Sequence, residues 1–131
     1  MGAVFMCRAS LSAQQNDTVG DFTRSPTEHI INTVEQPFVV HSVKGLVRLH
    51  TSGRTEPLKS VLLEIQGPDS DRKMWRATTD AKGRFSIGHV PVGTYKFKAT
   101  LNGFQSVMGI IIVSKTAARG NQIEIAMPLG V

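Results

Sequence analysis

Hydrophobic and polar residues alternate in steps of two over most of the chain from Phe38 onward. Val43, Gly45, Val47 and Leu49 fall on one side, with Lys44, Arg48 and His50 on the other. Val61, Leu63 and Ile65 alternate with Glu64 and Gln66. Tyr95, Phe97 and Ala99 alternate with Lys96 and Lys98, and Ile123, Ile125 and Met127 repeat the pattern near the end. Successive side chains of a strand point to opposite faces, so this period predicts strands with one buried face. Arg72–Thr79, with alternation around Met74 and Trp75, and the short Phe85–Ile87 add two more. Thr94–Leu101 and Phe104–Val113 are the longest expected pair.

Turn signals separate these runs. Asp80 and Gly83 bracket a tight corner, because an Asp side chain bonds backbone two residues on and Gly accepts positive φ. Pro91 and Gly93 mark the next corner, and Asn102-Gly103 is a strong hairpin dipeptide. Turn signals every 8–12 residues or so predict an all-β fold, an antiparallel Ig-like (prealbumin-like) β-sandwich of about seven strands. Phe97 is expected in its core. Tyr95 is expected as a core or corner tyrosine with its hydroxyl bonded to backbone.

Residues 1–37 break the pattern. Met1–Cys7 is short and apolar, Arg8 interrupts it, and Leu11-Ser12-Ala13 offers small residues for cleavage before Gln14. Lacking a basic start and a full apolar core, these features read as a signal-peptide remnant, with a poorly ordered tail as the alternative. Residues 14–36 are polar and read as a flexible, disordered leader with a short helical turn near Thr27–Val34. The expected organisation is therefore a leader over residues 1–37 and a sandwich over residues 38–131, with a periplasmic or secreted location.

Size and charge narrow the function. A chain of 131 residues fits one domain plus a tail and buries enough surface to fold without metal or disulfide. The single Cys7 rules out an internal disulfide. No apolar run reaches the roughly 20 residues of a membrane helix. The net charge of +5 divides into −2 over residues 1–37 and +7 over residues 38–131. The basic residues are spread over many turns and strands, without the dense run or basic helix that nucleic acid binding favours. No nucleic acid partner is expected. An edge strand such as Val107–Val113, if uncovered, would pair with another chain.

Several stretches together closely resemble a known pattern. They are Lys44-Gly45-Leu46-Val47, Pro57-Leu58-Lys59-Ser60-Val61, Thr79-Asp80-Ala81-Lys82-Gly83-Arg84-Phe85, Val90-Pro91-Val92-Gly93-Thr94-Tyr95 and Gly103-Phe104. The chain resembles the carboxypeptidase regulatory-like domain over about residues 40–128. The resemblance implies a transthyretin-like sandwich, often grouped with carbohydrate-binding-like folds. It also implies an accessory and usually extracytoplasmic role. In bacteria similar modules sit beside peptidases, at the front of outer-membrane receptors, or alone in secreted proteins. Fold by itself does not fix function.

Catalytic chemistry finds little footing. His29, His41, His50 and His89 lie in different segments without metal-ligand spacing, and no nucleophile elbow or phosphate loop occurs. No enzyme activity, metal or cofactor is expected. Transthyretin-like hydroxyisourate hydrolases carry a Tyr-Arg-Gly-Ser ending, whereas this chain reads Met127-Pro128-Leu129-Gly130-Val131. Lys44 and Asn121 sit on strands suited to the isopeptide bond of pilin-type sandwiches. The acid that bond needs is replaced by Phe97 and Lys98. Trp75, with Arg72 and Arg76 beside it, is the candidate ligand-binding set, since an aromatic platform with polar neighbours suits a sugar face. The expectation is a non-enzymatic, exported interaction module that binds protein or cell-envelope material. The alternatives are a carbohydrate-binding module using Trp75 for a cell-surface glycan and a regulatory subunit of a peptidase.

Overall fold

The computed structural model describes residues 22–26, 30–51, 55–67 and 73–130. Nine strands occur among them. In chain order they are β1 (Ile31–Thr33), β2 (Phe38–Val40), β3 (Val43–Leu49), β4 (Leu62–Gln66), β5 (Met74–Thr78), β6 (Arg84–Ile87), β7 (Gly93–Thr100), β8 (Ser106–Val113) and β9 (Ile123–Met127). The seven alternating segments all form strands, and β1 and β2 are short additions ahead of them.

The strands form two mixed sheets. The smaller has the order β9–β3–β6, and the larger runs β1–β8–β7–β4–β5 with β2 also on β8. Four pairings are antiparallel: β4 with β5 and β7 with β8, which follow one another in the chain, and β3 with β6 and β4 with β7, which do not. Three others are parallel. β9 runs alongside β3, while β1 and β2 both run alongside β8. A tight hairpin turn can join only antiparallel neighbours, and none joins these three pairs.

The inward faces pack against each other, as expected for a sandwich. Val43, Val47, Leu63, Ile65, Phe85, Tyr95, Phe97, Ile111, Ile123, Ile125 and Met127 are all buried in one apolar cluster. Phe97 lies at its centre, fully enclosed, with the Phe38 ring tilted against it at 5.9 Å between centroids.

The stretch ahead of β2 differs from the sequence expectation. Ile31–Thr33 is a strand where a helical turn was expected over Thr27–Val34; residues 27–29 lie outside the described residues. Its backbone bonds the edge of β8, continued by Val34 N–H donating to Met108 O at 2.8 Å. The Asn32 amide adds a hydrogen bond to the Gln105 side chain at 2.8 Å. Ladder bonds to a waiting strand edge outweigh the weak helical preference of a segment this short. Val107–Val113 consequently lies inside the sheet, between β7 on one side and β1 and β2 on the other. The signal-peptide remnant falls outside the described residues.

Candidate binding surfaces

The candidate set of the sequence is not one surface. Trp75 pairs with Ile65 across the β4–β5 ladder, and Ile65 pairs with Phe97, so Trp75 faces inward. It is half-buried and meets Tyr95 edge-on, with ring centroids 5.6 Å apart at 86°. The Lys73 ammonium lies 5.0 Å from the Trp75 ring centroid. Arg76 is the next residue on the same strand and faces outward, opposite Glu64. Arg72 lies outside the described residues. Trp75 thus extends the core under a cation, and Arg76 serves the other side of the sheet.

On that outer side a row of charges crosses three strands. Glu64 on β4 is in register with Arg76 on β5 and with Lys98 on β7. Outward-facing charges on a sheet usually meet water, yet Glu64 and Lys98 are completely buried. Residues 22–24 cover them, and Phe22 is itself buried. Thr23 donates its backbone N–H to Glu64 Oε1 at 2.8 Å and its hydroxyl to Oε2 at 3.0 Å. Arg76 donates Nε–H to the same Oε2 at 2.9 Å, and Lys98 Nζ donates to Thr23 O at 2.8 Å. A buried carboxylate is tolerable only when several donors replace its water. Here one residue of the segment supplies two of them.

A second feature is a shallow groove of about 370 Å³ lined by Lys44, Thr78, Asp80, Arg84, Ser86 and Gln122, with Gly45 and Phe85 also in its wall. It borders β3 and β6, whose register sets Lys44 directly opposite Ser86. Arg84 approaches Asp80 only loosely, at 3.8 Å, with both side chains more than half exposed. Such an exposed pair holds its geometry weakly. Lys44, Ser86 and Gln122 make no side-chain hydrogen bond among the described residues. The groove therefore offers a cation, a hydroxyl and an amide free to meet a ligand. The sequence signal for it was present in the register of Lys44 and Ser86, but alternation alone does not pair strands. Asn121, next to Gln122, donates its side-chain amide to Val39 O at 3.1 Å. Among the described residues no three His, Cys, Asp or Glu side chains gather as a metal site would require.

Residues 42–127 match the family profile of the carboxypeptidase regulatory-like domain. The chain belongs to that family. No curated protein matches it.

In this carboxypeptidase regulatory-like domain, the motif residues serve the scaffold. Asp80 Oδ1 accepts the N–H groups of Lys82 and Arg84, both at 2.9 Å, and Gly83 takes φ of 75° to close the corner. The Arg84 N–H, with help from the Lys82 N–H and both cationic side chains, holds the Asp80 carboxyl below its ordinary 3.8. Thr79, buried just before this turn, donates its hydroxyl to Leu58 O at 2.6 Å and accepts the Val61 N–H at 2.9 Å. Tyr95 donates its hydroxyl to Pro91 O, the corner role expected of it. Gly103 adopts φ of 94° in the hairpin before Phe104. These contacts fix the sandwich and account for the turn and corner residues of the shared motif.

Proposed function

We propose that this carboxypeptidase regulatory-like domain is an exported, non-catalytic accessory module that binds a protein or cell-envelope material. The observation that carries this reading is the open groove beside β3 and β6, where Lys44, Ser86 and Gln122 are free among the described residues. Of the family motif, Thr79, Gly83, Tyr95 and Gly103 are taken up by turns and backbone contacts, while Lys44 and Arg84 border the groove. Ordered scaffolds commonly present binding groups in this way while their framework residues only hold shape.

The test compares full-length wild type with the double variant Lys44→Gln/Arg84→Gln, each immobilised and exposed to a cell-envelope extract at several salt concentrations. Both substituted side chains are at the surface, so the fold is expected to persist. A component retained by wild type and lost from the variant supports the groove. Identical recovery on both, or none on either, removes it. If that component is a peptidase, the role is regulatory. Fractionation that finds the full-length protein only in the cytosol would refute export. Glycan-array binding abolished by Trp75→Ala would replace this reading with carbohydrate recognition. The half-buried, Lys73-covered ring weighs against that outcome.

A further inference from the structure

The charge row under residues 22–24 has features of a receptor site, distinct from the groove. Glu64 and Lys98 sit side by side in register on neighbouring strands. Between them they engage both polar ends of one residue, the N–H and the C=O of Thr23, and Glu64 also engages its hydroxyl. Side chains do the recognising, so the bound segment needs no strand ladder. Phe22 provides an apolar anchor immediately before the gripped residue. Arg76, about half exposed, borders the row and holds Glu64 in place.

Thr100 supplies a second observation. It lies two residues beyond Lys98 on β7 and therefore on the same outer face, about 7 Å further along. Thr100 is buried, and its hydroxyl has no hydrogen-bond partner among the described residues. An unpaired buried hydroxyl costs about 1–3 kcal/mol, and most such groups are satisfied. The outer face beside the row thus keeps one buried hydroxyl that Thr23 does not engage.

We infer that the Glu64–Lys98 row is a peptide-binding site for an extended segment carrying an apolar residue followed by Thr or Ser, occupied here in cis by Phe22-Thr23. A competing peptide gains by matching the same three contacts and by offering a polar group to Thr100. The cis segment acts as a built-in competitor, since tethering gives it an effective concentration in the millimolar range.

The probe is a fluorescent synthetic peptide copying residues 20–26. It is added to the full chain and to a full-length variant, Phe22→Ala/Thr23→Pro, that releases the segment by removing its anchor and its N–H. Fluorescence anisotropy is expected to show at least tenfold tighter binding to the released variant. Methylating the threonine nitrogen of the peptide, or replacing that threonine with valine, is expected to weaken binding at least fivefold. These two controls leave the protein untouched. A folded released variant that ignores the peptide, or equal affinity for the methylated peptide, overturns the inference. If the released variant does not fold, the unmodified chain decides. Saturating peptide must then speed tryptic cleavage after Arg24, and an unchanged rate overturns the inference equally. Because Lys44 and Arg84 remain in place throughout, failure here is separable from failure of the groove.

Discussion

Replacing Phe97 by Ala, alone and together with Gly109→Ala, probes the centre of the core. Phe97 is fully enclosed, and removing its ring forfeits a transfer term of about 2–3 kcal/mol. A cavity adds to this, because Phe38 at 5.9 Å and the strands around it cannot collapse fully into the space. The total is expected at about 3–5 kcal/mol. For a domain of about 100 residues that lowers Tm by roughly 15–25 °C. Gly109 faces Phe97 across the β7–β8 ladder, and a Cβ there would come within 2.6 Å of the ring and 3.2 Å of the Val34 Cβ. Gly109→Ala alone is therefore expected to be destabilising by about 1–3 kcal/mol through overpacking. In the double variant the added methyl enters the space the ring vacates. The double variant should thus be more stable than the sum of the singles, by about 1 kcal/mol or more. Urea unfolding followed by Trp75 fluorescence provides the four free energies of the cycle. Additivity within about 0.5 kcal/mol would refute the reasoning, because it would mean the two positions do not share one space.

Thr79→Val removes the hydroxyl that bridges Leu58 O and Val61 N; a loss of about 2–3 kcal/mol is expected in urea melts, since two backbone groups lose a partner. Tyr95→Phe deletes the hydroxyl bond to Pro91 O and should be destabilising by about 1 kcal/mol with the fold intact, checked by thermal melting. Asp80 has a folded-state pKa lowered from 3.8, so its contribution is complete above that value and is lost as pH falls through the lower folded value. Asp80→Asn should accordingly flatten part of the stability loss below about pH 4, measured by urea melts at stepped pH. An unchanged acid limb would show that other carboxylates carry it.

The residues that alternate in sequence do so in space, which is why the sandwich was legible. Val43, Gly45 and Val47 are buried together, and Phe85 and Ile87 likewise. The corners were equally readable, because Asp80, Gly83 and Gly103 have local reasons to be where they are. Three things were not readable in the same way. β1 is three residues long, too short to show a period, and exists because β8 presents an edge to it. Glu64 and Lys98 carry the signature of solvent-facing positions, and a segment 41 residues before the first and 75 before the second reverses that. The parallel partnership of β9 with β3 joins strands more than 70 residues apart, with no turn to announce it. The separation of Trp75 from Arg76 is a different case. Neighbours on a strand point to opposite faces, so the alternation that located β5 already placed them apart.

The parallel placement of β9 beside β3 sets an order of events during synthesis. β3 is the middle strand of the smaller sheet, yet one of its two neighbours is made after every other described strand. Until Ile123–Met127 emerges, Val43 and Val47 lack the three side chains that close one end of their layer. Everything made earlier must wait with that edge open, where it is exposed to other chains. Assembly of this domain is thus completed from its C-terminal side, and a chain arrested before Ile123 would carry a central strand paired along one edge only.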